Sequence, residues 1–245
     1  MPVLIGLGLI VQLGFAIHAM KTGRHFYWIV IVMTIPVLGP AAYFLIELLP
    51  ELRNSRTGRK AVTQIARTID PERAYRERFE ALQISDTVEN RRRLAEECIA
   101  LGRYGEAVVL FERSLEGPHL NDVALLFGLA RARFGLEDWQ HVIDTLDRLR
   151  EHNPDFQSQD AHMLYARALE NLGRMDEARR EMEALAAYYA GPEAKARHAL
   201  MLQKAGEPAR ARALFEEIER LYGRRRMQMA PEDRQWLDVA RANLG

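Results

Sequence analysis

Apolar and polar positions divide the chain into two unlike stretches. Pro2 to Met20 holds no acid or base except His18, and Phe26 to Ile46 carries no charge at all. Everything after Leu49 is densely charged, with apolar residues recurring every three or four positions. The hydrocarbon core of a bilayer needs roughly 20 apolar residues of helix to cross it, and both runs meet that length, the first narrowly. Backbone amides in lipid must bond within their own segment, so both runs are predicted to be helices. The turn Lys21-Thr22-Gly23-Arg24-His25 leaves room only for an antiparallel pair. Residues 1–50 are thus expected to form a two-helix transmembrane hairpin. A cleaved signal peptide fits less well, because the first Lys follows the apolar run instead of preceding it.

Lys and Arg near the membrane ends set the orientation of such a hairpin. The loop offers Lys21 and Arg24, whereas the far flank offers Arg53, Arg56, Arg59 and Lys60. The domain after the hairpin is therefore expected on the cytoplasmic side, with the lipid bilayer itself as a partner. Residues 51–70 read as a basic linker, and 71–245 as a helical domain.

Inside the second apolar run, Pro36-Val37-Leu38-Gly39-Pro40 must kink or unwind the helix, since proline removes a donor and clashes with the preceding turn. Trp28, Pro36, Gly39, Pro40 and Tyr43 together form a pattern that resembles the N-terminal membrane hairpin of bacterial cardiolipin synthases of the phospholipase D type. The resemblance covers about residues 4 to 50, and it implies a location in the bacterial inner membrane. It carries no catalysis with it. Those enzymes need His-x-Lys-x4-Asp motifs, and none of the seven histidines here has Lys two residues on.

The charged part repeats. Leu94-Ala95, Cys98, Leu101-Gly102, Tyr104, Ala107 and Phe111 match Tyr165-Ala166, Leu169, Leu172-Gly173, Met175, Ala178 and Met182. A third copy runs His198-Ala199, Leu202, Ala205-Gly206, Pro208, Ala211 and Phe215, and a less regular one holds Leu129-Ala130, Phe134-Gly135, Trp139, Val142, Leu146 and Pro154. In that copy two extra residues are read before Trp139. The small residue at 107, 142, 178 and 211 recurs at steps of 35, 36 and 33. This pattern resembles the tetratricopeptide repeat (TPR), a helix-turn-helix of about 34 residues. Small residues let paired helices cross closely, and the glycine after each first helix can take the left-handed conformation that stops it. Asp70-Pro71-Glu72 reads as a helix start, with Tyr75, Phe79 and Leu82 on one face. Asp86 with Glu89 reads as another. Pro231 to Leu244, with Trp236, Leu237 and Ala240 on one face, reads as a closing helix. The fold class is therefore all-α, a hairpin followed by a TPR-like solenoid.

Charge and chemistry narrow the function. With 34 basic and 34 acidic residues the chain lacks the basic excess of a nucleic-acid binder. One cysteine, Cys98, excludes an internal disulfide and sits in an apolar helical pattern, as a small core residue does. His152, His162 and His198 have no metal-ligand spacing, and no catalytic set, metal site or cofactor site is expected. Helical solenoids line a concave surface with the first helix of each pair. Matching the copies puts Arg131 and Arg167 at equivalent groove positions, with Arg92 and Asn171 nearby. Arginine there suits an acidic group or C-terminal carboxylate of a protein or peptide partner. The expected function is a non-catalytic, membrane-anchored scaffold near the inner membrane. The alternative is an accessory or regulatory subunit of a phospholipid or envelope-biogenesis enzyme acting through the hairpin. Association with copies of itself fits either reading.

Overall fold

The computed structural model describes residues 2–22, 25–36, 38–48, 50 and 70–245, with residues 2–11 described by backbone alone. The expected basic linker, with Arg53, Arg56, Arg59 and Lys60, lies outside the described residues. The chain divides into two units, Met1–Arg73 and Ala74–Gly245.

In the first unit, α1 (Pro2–Lys21) packs on α2 (Phe26–Thr34), and α3 (Leu38–Tyr43) turns back on both. Ile35 leaves the helical region at φ −112°, ψ 95°, as a residue ahead of proline must. The second apolar run is thereby cut into a helix of nine residues, one of six, and a π-turn over Phe44–Leu48. Nine residues rise only about 14 Å, against a core of about 30 Å. Among the described residues no helix is long and apolar enough to cross a membrane. That finding overturns the expected transmembrane hairpin, the bilayer as its partner, and the two-pass inner-membrane localisation with a cytoplasmic domain.

The Trp-Pro-Gly-Pro-Tyr pattern has a local role instead. Gly39 passes so close to α2 that a Cβ would stand 2.4 Å from the Ile31 carbonyl oxygen. This approach lets the buried ring of Tyr43 meet Trp28 edge-on at 5.4 Å and Phe15 at 5.9 Å. Tyr43 is also hydrogen-bonded to His18 Nδ1 at 3.1 Å, Trp28 Nε1 donates to Glu47 at 3.0 Å, and the buried Gln12 amide donates to the Val32 carbonyl at 3.0 Å. Pro36 and Pro40 bracket the bend.

The second unit opens with α4 (Arg73–Ile84), whose Tyr75 and Leu82 pack on the core. Its helix begins two residues beyond the Pro71 expected to start it. Four antiparallel pairs follow: α5 (Val88–Ala100) with α6 (Tyr104–Ser114), α7 (Val123–Gly135) with α8 (Trp139–His152), α9 (Gln159–Asn171) with α10 (Met175–Ala186), and α11 (Glu193–Lys204) with α12 (Pro208–Tyr222). α13 (Pro231–Ala242) closes the row on buried Leu237 and Ala240. All regular elements among the described residues are helical.

Local chemistry marks each boundary. Thr87, Asp122 and Ser158 cap α5, α7 and α9 by accepting from the amide three residues on, satisfying one orphan donor each. Thr87, and not Asp86, caps α5; Asp86 pairs with Arg91 and Arg113. The first helices stop at left-handed residues, Gly102 (φ 73°), Glu137 (φ 60°), Gly173 (φ 76°) and Gly206 (φ 81°). The residue after each donates five positions back, as in Arg103 to Cys98, Asp138 to Arg133, Arg174 to Leu169 and Glu207 to Leu202. These stops recur at 35, 36 and 33, the same steps as the small residue of the second helix. The second copy therefore carries no extra residues. Glu137 occupies its turn position, and Gly135 lies inside the helix against the Tyr104 ring.

Candidate functional site: the arginine groove

The first helices α5, α7, α9 and α11 carry a row of arginines and acids, and Arg131, Arg167 and Arg197 each reach back to the preceding pair. Arg131 in α7 donates to Glu96 in α5 at 3.0 Å. Arg197 in α11 is held by Glu193 at 2.8 Å and lies 3.9 Å from Glu170 of α9, with its guanidinium 4.5 Å above the Trp236 ring. Arg92 is spent within its own helix on Glu89, through bonds of 2.9 and 3.0 Å. Arg92 and Arg93 together hold the Glu89 carboxyl down at about 2, because both donate to its ionised form. Arg92 also lines an open cleft of about 440 Å³ with Glu89, His119 and Asp122.

Arg167 differs from its neighbours. Its guanidinium lies 4.7 Å above the Phe134 ring of α7, and no carboxylate among the described residues is within ion-pair distance of it. Burial lowers its pKa, and the positive charge of Arg197 pushes the same way against Glu193 and Glu170. Arg167 is thus a partly desolvated cation held over an aromatic face, a cation–π contact. Asn171 does not join it through its amide. That group donates to the Arg167 backbone carbonyl at 2.8 Å, inside the helix.

Of the four residues expected in the groove, Arg131 is neutralised by Glu96, Arg92 by Glu89, and Asn171 is turned back on its own helix. Arg167 alone of the four has a charge that no carboxylate among the described residues meets at ion-pair distance. Phe134, Arg197, Glu170 and Trp236, which the sequence reading missed, determine that difference. One signal was available: Phe134 stands one turn beyond Arg131, and Glu170 one turn beyond Arg167, on the same helix faces. Among the described residues no group of three or more His, Cys, Asp or Glu could hold a metal ion.

The solenoid has counterparts among solved structures. MamA (residue 41 to its end) from Desulfovibrio magneticus RS-1 aligns at TM-score 0.58 and 15% identity, covering 68% of this chain and 94% of that one. The thermophilic TPR protein TTC0263 of Thermus thermophilus aligns at TM-score 0.53 and 17% identity, covering 76% and 96%. At such identities these likenesses establish the TPR-like fold alone. No curated protein matches the sequence. A family model does, over residues 75–239, and it begins beyond the segment that resembles the cardiolipin synthase hairpin, so that resemblance finds no support. The matched region is most of the chain, and the protein belongs to the family of the T7SS, ESX-1 secretion system protein EccA1, N-terminal domain.

Proposed function

We propose that the solenoid is a non-catalytic docking module that holds a protein partner through an acidic segment or C-terminal carboxylate laid along the first-helix face. The supporting observation is Arg167. In a row whose other arginines have carboxylates, it presents a partly buried guanidinium over the Phe134 ring with no carboxylate among the described residues at ion-pair distance. A partner carboxylate would make the charge-assisted bond that Arg131 makes to Glu96. Family membership directs the search for that partner to proteins of an ESX-type secretion system.

The test is fluorescence polarisation of the full chain against a panel of acidic peptides, each as the free acid and as the C-terminal amide. Free acids should bind more tightly. Arg167→Gln should weaken them by roughly 10- to 100-fold, the worth of a hydrogen bond to a charged group. Arg131→Gln should cost less, because the Arg131 guanidinium is already bonded to Glu96 and has less to offer a second carboxylate. Equal binding of acids and amides, or an unchanged affinity in Arg167→Gln, would rule the reading out.

A further inference from the structure

The other side of α9 carries a second site. Arg167 lies five residues beyond His162, so it stands about 140° around the helix from it. On the His162 side, an open-sided cavity of about 510 Å³ lies between α8, the 153–158 connection, α9 and α10. The repeat register explains the space. Where the second copy has the buried Leu125 and Leu126, the third has Ala161 and His162. One leucine becomes the much smaller alanine and the other a polar imidazole, which leaves space and polar groups at the interface between pairs. Ligand pockets run from about 300 to 1,000 Å³ with apolar walls and a few placed polar groups, and this cavity has both features.

Its floor is apolar, formed by Leu146, Leu149, Phe156 and Ala161. One wall is a hydrogen-bonded chain. His162 Nε2 meets Glu181 at 2.7 Å and Nδ1 meets the Tyr188 hydroxyl at 2.7 Å. An ionised carboxylate only accepts, so Nε2 donates to Glu181, while Nδ1 and the Tyr188 hydroxyl share the second hydrogen bond. Hydrogen bonding from His162 holds the Glu181 carboxyl below the usual range, so that acid is ionised and already engaged. At the mouth stands Arg150, exposed, 5.3 Å above the Tyr165 ring. No carboxylate among the described residues lies within ion-pair distance of it.

The geometry points to a binding site for an apolar carboxylic acid, with its hydrocarbon or aromatic body on the Phe156 floor and its carboxylate on Arg150. The acid can be a small free molecule or an apolar residue at a chain's C-terminus, which share this chemistry. Calorimetric titration of the full chain with 4-phenylbutyrate, 4-phenylbutanol and 4-phenylbutylamine tests it. The acid should bind at least about tenfold more tightly than the alcohol or the amine, and Arg150→Glu should remove that preference. Ala161→Leu, which restores the residue of the second copy, should abolish binding of all three. Gly-Gly-Phe as the free acid, titrated alongside, separates the sources: whichever acid binds more tightly names its own. Methyl signals of Leu146 and Leu149, which line the cavity, should shift on titration, which locates the bound acid here and not on the Arg167 face. A preference for the amine, equal binding of the alcohol, or indifference to both variants would overturn the assignment.

Discussion

His198 shows how a single position can act against an otherwise regular repeat. It occupies the place filled by Leu94, Leu129 and Tyr165 in the other pairs, and it is buried. Its Nε2 has no hydrogen-bond partner among the described residues. Burial holds its pKa below the ordinary histidine value; Arg210 and Arg179 push the same way, and Glu183 and Glu207 oppose them. An unfolded histidine titrates near 6.5. As pH falls through that value the unfolded chain takes up its proton first, so stability is present above about pH 6.5 and is lost on acidification toward the folded value. His198→Leu removes an unsatisfied buried group and should gain about 1–3 kcal/mol. Thermal melts should show a higher midpoint and a flatter dependence between about pH 7 and 5. A lower midpoint, or an unchanged pH dependence, would show that the ring is satisfied in a way the geometry does not reveal. Histidine was visible in the sequence as a departure from the pattern, but its orphaned nitrogen was not, because hydrogen bonding depends on which side chains surround it.

At the scale of elements, the stops of the first helices set the repeat. Three are glycines, for which positive φ costs nothing, and one is the exposed Glu137 at φ 60°. A left-handed conformation costs a residue with a Cβ roughly 1–2 kcal/mol. Glu137→Gly should therefore raise stability by about 1 kcal/mol, read as a higher urea midpoint with an unchanged slope. No gain would mean that Glu137 contributes a compensating contact. The sequence misled here because Gly135 is the nearest glycine, and aligning it inserted two residues that do not exist. In the tertiary structure Gly135 has a different task, giving the Tyr104 ring room to pack. Element α11 also divides the core. Ala194 and Met201 belong to the long cluster running from Leu94, while Ala196, Ala199 and Leu202 belong to the C-terminal cluster with Phe215 and Leu237. His198 thus lies on the helix that joins the two.

For the whole molecule, the division at Arg73/Ala74 has a physical basis. Residues 74–245 contain both of those core clusters and every helix pair of the solenoid. A chain of residues 74–245 should accordingly fold alone, with a helical circular-dichroism spectrum and a cooperative melt. A broad, non-cooperative transition would show that the first unit is needed to complete the solenoid. The first unit has its own small core around Trp28, Val32 and Tyr43, with Leu13, Ile17, Phe26, Val30, Leu38 and Ile46 left exposed.

The sequence by itself determined the all-α class, the repeat and its steps, and the buried place of Cys98. Those properties follow from periodicity and from small residues at close crossings, both of which are local. Two things were decided only in three dimensions. The apolar N-terminal runs satisfied a length rule, but the break at Ile35–Pro36 and the close approach of Gly39 to α2 divided the second run into pieces too short to span a bilayer. Charge in the groove was decided by partners 27 to 35 residues away, Glu96 for Arg131, Phe134 for Arg167 and Glu170 for Arg197. A guanidinium is free or spent according to what the neighbouring helix places beneath it, and that is fixed by packing between pairs.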